Sequence, residues 1–213
     1  NLKDLASAKD TLLRQATEGV SFKKTYEDLA NVDQFLVKVG LSASGTGKQI
    51  HDLYSYATEI KNFFDQIKAL DVEYKKQEES VARLSLRYKV LDNNLTEIKA
   101  IQDELKKGNV DDARKLELIA RENELRQASI VEARDYARSL SGILAQNNLL
   151  EQSSQILLAQ RNQFGDNAKL NQLEASIARV NKQYSDTLEL FKLLDFDKFQ
   201  IPASTTALKS LDA

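Results

Sequence analysis

Five places in this sequence carry residue types that could do chemistry. Gly45-Thr46-Gly47-Lys48 sets glycine beside lysine, as phosphate-binding loops do. Such a loop reads Gly-x-x-x-x-Gly-Lys followed by Ser or Thr, so that backbone amides and the lysine cradle phosphate oxygens. Here Ser42 stands where the first glycine belongs, Gln49 follows Lys48, and no strand-like run precedes the loop. Thr46, followed three residues later by Gln49, reads better as a capping box that opens a helix.

His51 is the sole histidine, and there is no cysteine. Thiolate metal sites and disulfides are therefore excluded, and so is the paired Glu-x-x-His pattern of bundle di-iron centres. No serine or acid is tied to His51 by a motif, so a nucleophile–base–acid arrangement has no sequence support. The acid pairs Glu78-Glu79 and Asp111-Asp112 are adjacent in helical stretches, where neighbours point about 100° apart and do not converge. A solvated face accounts for the first pair and a helix start for the second. Asn94-Leu95-Thr96 matches the glycosylation sequon but falls inside a helical pattern. The reading is non-enzymatic, with no catalytic residue, cofactor or metal site.

The elements that would position these residues are helices. From residue 47 to 107 two series recur at seven-residue steps. One is Leu53, Ile60, Ile67, Tyr74, Val81, Tyr88, Leu95, Gln102; the other is Tyr56, Phe63, Leu70, Gln77, Leu84, Leu91, Ile98, Leu105. Only Gln77 and Gln102 interrupt this coiled-coil type of seam. Lys106 and Lys107 suit the negative helix end, and Gly108 suits a left-handed cap. A second long helix is expected to run from a cap at Asn109, with Asp111 and Asp112 in its first turn, to Phe164. Tyr136, Ile143, Leu150, Leu157 and Phe164 form its apolar series, faced by Leu140, Asn147, Ser154 and Arg161. Gly165 should end it and Asp166 cap the next helix, whose seam is Leu170, Leu173, Ile177, Val180, Tyr184, Thr187, Phe191 and Leu194. Residues 2–39 read as two helical pieces broken near Gly19 and Ser21, the second carrying Phe22, Tyr26, Leu29, Val32, Leu36 and Val39 on one face.

These patterns give an all-α fold. The expected architecture is an elongated antiparallel bundle of three long helices with an additional N-terminal helical segment. Residues 1–199 read as one domain and 200–213, around Pro202, as an extended tail. The first 201 residues contain no proline, which leaves long helices uninterrupted. Charge is nearly balanced, 30 basic against 32 acidic residues, so there is no basic excess to neutralise nucleic-acid phosphates. No apolar run reaches the roughly 18 residues of a membrane span. The chain opens on Asn1 and lacks Met; a removed secretory leader or a fragment boundary would each explain that.

Residues 144–164 (LAQNNLLEQSSQILLAQRNQF) stand apart, being rich in Gln, Asn and Ser with only Glu151 and Arg161 charged. A polar seam that fixes register explains them, and so does a docking face, since charge depletion marks interface cores. This Gln/Asn-rich helix after a charged one, in an all-helical chain without Met, resembles the minor pilus-tip subunits of conjugative type IV secretion systems. The resemblance covers residues 137–184 and is compositional, while the high charge of residues 61–126 departs from that family. It implies a secreted helical bundle acting as an adhesin or assembly factor, and it carries over no functional residue.

The function expected from all this is a structural or interaction protein outside the cytoplasm, periplasmic or at the cell surface. Its partners would be proteins, such as other subunits of an envelope assembly, and not nucleic acid. The alternative is an intracellular coiled-coil scaffold self-associating through the seam from Leu53 to Leu105. A helical pore-forming toxin would need an apolar tongue, which the sequence does not offer. The candidate partner-binding residues are Ser42, Ser44 and Lys48 in the glycine loop, Gln152 and Gln155 on the low-charge helix, and the C-terminal tail.

Overall fold

A computed structural model describes residues 2–19, 21–164 and 168–194. Among them the secondary structure is entirely helical: α1 (Leu2–Glu18), α2 (Phe22–Lys38), α3 (Gly45–Lys106), α4 (Asp112–Ala159), the single turn α5 (Arg161–Phe164) and α6 (Ala168–Lys192). The expected cap at Asp166, the helix stop at Gly165 and the tail at 200–213 lie outside the described residues.

Glycine sets three of the helix ends. Gly19, Gly40 and Gly108 have φ of 85°, 71° and 72°, a region that a side chain disfavours. After α2 the amide of Gly40 donates to the Val37 carbonyl and that of Leu41 to the Leu36 carbonyl, a Schellman closure with Gly40 as its left-handed residue. Two sequence expectations shift at helix starts. α3 begins at Gly45, which puts Thr46 inside its first turn and not at the cap position. The cap of α4 is Asp111, not Asn109: the Asp111 carboxylate accepts the Arg114 amide at 2.8 Å. The second long helix also stops short of Phe164, at Ala159, and resumes after a turn at Gln160.

The chain divides into two compact units, each drawing on α3, α4 and α6. The first takes residues up to Glu73 together with Glu151–Ser176. Its buried residues include Leu12 and Ala16 of α1, Ile60, Phe63, Phe64 and Ile67 of α3, Leu157 of α4, Phe164 of α5, and Leu170 and Leu173 of α6. Phe164 stacks on Phe63 with ring centres 4.4 Å apart, so the aromatic end of the predicted helix reaches the core even though the helix breaks before it.

The second unit takes Tyr74–Leu150 and the chain from Ile177. One buried cluster joins Val81, Leu84, Leu91, Leu95, Ile98 and Ile101 of α3 to Leu118, Leu125, Tyr136, Leu140 and Ile143 of α4 and Phe191 of α6. Ion pairs border it: Arg114 with Glu104 at 3.3 Å, Arg121 with Glu97 at 2.8 Å and Arg87 with Glu132 at 3.2 Å. The numbers rise along α4 as they fall along α3, so these two stretches run in opposite directions within this unit. Tyr136 lies on Phe191 with centres 4.5 Å apart and donates its hydroxyl to the Thr187 carbonyl at 3.2 Å. Burial, with a smaller contribution from Tyr88, pushes its phenol pKa well up.

The α3 seam is thus buried inside a single chain: Ile60, Phe63, Ile67, Tyr74, Val81, Leu84, Leu91, Leu95 and Ile98 are all covered. Its two polar interruptions differ. Gln102 donates to Glu122 at 2.9 Å, whereas Gln77 is 1% exposed and its amide has no hydrogen-bond partner among the described residues. An unmet buried amide costs about 1–3 kcal/mol.

Candidate functional site

The glycine loop is built around the Leu41 carbonyl. Ser44 donates to it from its backbone amide at 3.0 Å and from its hydroxyl at 2.7 Å. The Lys48 amide then donates to the Ser44 carbonyl at 2.6 Å, locking the loop onto the first turn of α3. Gly47 is buried beneath this loop, and a Cβ there would collide with the Leu41 carbonyl. The pairing of glycine and lysine therefore has a structural cause: the loop needs a residue without a side chain at 47. Ser42 is half-buried, while Ser44 and Lys48 are exposed.

One turn further, His51 meets Asp33 of α2, Nδ1 to Oδ1 at 2.8 Å. The carboxylate is 8% exposed and the imidazole 54%. This pair corrects the expected face of α2. The buried position is Asp33, flanked by half-buried Tyr26, Leu29, Ala30 and Leu36. Val32 and Val39, expected inward, are 42% and 46% exposed. Turning Asp33 toward His51 turns its neighbours outward, because adjacent helical residues differ by about 100°. Phe35 is 61%, Val37 56% and Leu41 50% exposed. Val32, Phe35 and Val39 share one face, being three and four residues apart. An apolar cluster therefore sits at the end of α2, running into the loop that holds Ser42, Ser44 and Lys48. Sequence reasoning found the loop but not Phe35; the signal for it was Asp33, an acid standing where the next inward residue belongs.

The low-charge helix segment divides its residues cleanly. Asn147, Leu150, Ser154 and Leu157 are buried, and Asn147 donates to Asn181 at 2.8 Å. Gln152 and Gln155 are both exposed on α4, as is Ile156 at 65%. The inward residues of the polar stretch fill a seam, and Gln152 and Gln155 leave an uncharged surface.

A cleft of about 540 Å³ opens in the first unit, and no candidate residue from the sequence lines it. Ala16, Phe22, Tyr26, Phe64 and Ile67 supply its apolar lining, and Lys23, Lys61, Lys68 and Lys169 its cations. Gly19 makes the elbow that lets α1 and α2 both reach it. Lys61 donates to Asp65 at 2.6 Å, and that bond raises the lysine pKa. Lys169 lies 4.6 Å above the Phe64 ring. Lys61 and Lys68 lie seven residues apart, next to core Ile60 and Ile67, and nothing in the sequence marks them off from a solvated helix face.

Among the described residues, no group of three His, Cys, Asp or Glu side chains could hold a metal ion. No described helix is long and apolar enough to cross a membrane. No family model, curated protein or solved structure matches the chain.

Proposed function

We propose that this chain is a non-enzymatic interaction protein that docks a protein partner through the end of α2 and the loop after it. The carrying observation is the exposed cluster of Val32, Phe35, Val37, Val39 and Leu41, five large apolar side chains within ten residues. A solvent-facing apolar patch of this kind is costly to keep wet unless a partner covers it. Ser42, Ser44 and Lys48 give the patch a polar rim, and the exposed, uncharged Gln152 and Gln155 offer a second face. The seam of α3 is filled from within the chain, so self-association through that seam loses its driving force. In this reading the helices form a three-helix antiparallel bundle, with α1 and α2 as the added segment. The pilus-tip resemblance extends it to an extracytoplasmic adhesin or assembly subunit of a secretion or conjugation system.

The test is a photoreactive residue placed at Phe35 in cells, with exposed Lys99 as the control position. The expected result is a discrete higher-mass adduct from position 35, absent from position 99, in the periplasmic or surface fraction. Equal labelling from both positions would remove the docking site; a purely cytoplasmic protein would remove the compartment.

A further inference from the structure

We infer that the cleft of the first unit is a binding site for an amphipathic organic anion: a single carboxylate on an aliphatic or aromatic body. This does not rest on the partner surface of α2, which involves other residues. Three observations converge on that chemistry. The volume, about 540 Å³, lies within the range of small-molecule pockets. The lining is divided between an apolar part and a cationic part. Phe64 and Ile67 are core side chains, 7% and 3% exposed, and the half-buried rings of Phe22 and Tyr26 continue the apolar surface. Around them stand four lysines against two acids, Asp65 and Asp71. Asp65 is engaged by Lys61 and Asp71 accepts from Ser176 at 3.4 Å. Lys68 and Lys169 have no ion pair among the described residues.

The positive balance runs against the chain's net charge of −2, so it is local and not a by-product of a basic protein. A cation selects the anion only where the rest of the ligand can shed water, and the apolar lining supplies that. A bare inorganic anion would leave the lining wet. A neutral amphiphile would leave the lysines unanswered. The carboxylate with an apolar body satisfies both halves. Lysine, a compact point charge on a flexible stem, needs no bidentate geometry and suits a mobile headgroup.

The experiment is calorimetric titration of the full chain with dodecanoate below its micellar range, beside dodecanol and dodecyltrimethylammonium. Saturable one-to-one binding of dodecanoate is expected, at least tenfold tighter than either control and weakening as salt screens the lysines. The double variant Lys68→Gln with Lys169→Gln should lose roughly tenfold in affinity while unfolding at the same denaturant concentration. Phe22→Ser should weaken binding too, whereas Leu86→Asp, at an exposed position of the second unit, should leave it unchanged. Failure of dodecanoate to bind, equal binding of all three amphiphiles, or an undiminished double variant would each overturn the assignment.

Discussion

Both units of this chain draw on α3, α4 and α6, and the first adds α1, α2 and α5, but they use their charges differently. In the second, arginines of α4 and α3 meet glutamates of the facing helix, and one contiguous apolar cluster lies beneath them. In the first, aromatic stacking of Phe63 and Phe164 and the His51–Asp33 pair hold the packing. There Lys68 and Lys169 face a cleft, and a run of apolar side chains from Val32 to Leu41 faces water. Both units expose single apolar residues, such as Leu86 and Ile156, which is ordinary. In the first, five of them, from Val32 to Leu41, lie close together in the chain beside the loop after α2. The contrast separates a unit whose facing helices are tied by ion pairs from one that leaves a cationic cleft and an apolar run open to solvent.

The largest effect should come from breaking the cluster of the second unit. Leu84 is 2% exposed within it, so Leu84→Asp leaves a void and buries a carboxylate without a partner. The expected loss is on the order of 4 kcal/mol, read from urea unfolding. Leu86, two residues away and 64% exposed, is the matched control. Leu86→Asp should stay within about 0.5 kcal/mol. Equal losses at both positions would mean that the seam is misassigned.

An intermediate effect probes the first unit. At Gly47 an alanine Cβ would press on the Leu41 carbonyl, a backbone atom already held by two bonds from Ser44. Gly47→Ala should cost about 2 kcal/mol despite the helix propensity it gains. Gly142, inside α4 with nothing near its would-be Cβ, should gain up to about 1 kcal/mol from the same change. The opposite signs, measured by thermal unfolding, distinguish a glycine required by packing from one that is merely tolerated.

These residues also show what the sequence made legible. Periodicity located the helices and the inward residues of α3, because a long helix with no proline has few other ways to bury Ile60, Leu84 or Ile98. Glycine placed the breaks near 19, 40 and 108. Short helices were harder. In α2 the apolar residues outnumber the places available inside, so several faces look buriable, and one polar contact, Asp33 to His51, decided which was used. The cleft depends on α1, α2, α3 and α6 meeting, and no local pattern encodes such a meeting. Its lysines look like any solvated helix face until the neighbouring elements are in place.

The smallest effect tests how the second unit uses its charges. Glu122 lies between Arg126, at 2.6 Å, and the Gln102 amide, at 2.9 Å, with 13% of its side chain exposed. Burial opposes its ionisation, but the hydrogen bonds from Arg126 and Gln102 outweigh that and hold its carboxyl below the usual range. A carboxyl whose folded pKa lies below its unfolded value, about 4.3, stabilises the fold fully above that pH. The contribution disappears as the pH falls through the lower, folded value. Glu122→Gln keeps the shape and loses the charge, so it should cost about 1 kcal/mol at pH 7. The gap to the unaltered protein should close progressively below about pH 4, as the carboxyl takes up its proton. Arg121, exposed and paired to Glu97, is the comparison: Arg121→Gln should change stability by less than about 0.5 kcal/mol. Urea midpoints at pH 7 and pH 3 for both variants decide the matter. A cost for Glu122→Gln that persists undiminished at pH 3 would show that shape, and not the ionised pair, is what position 122 contributes.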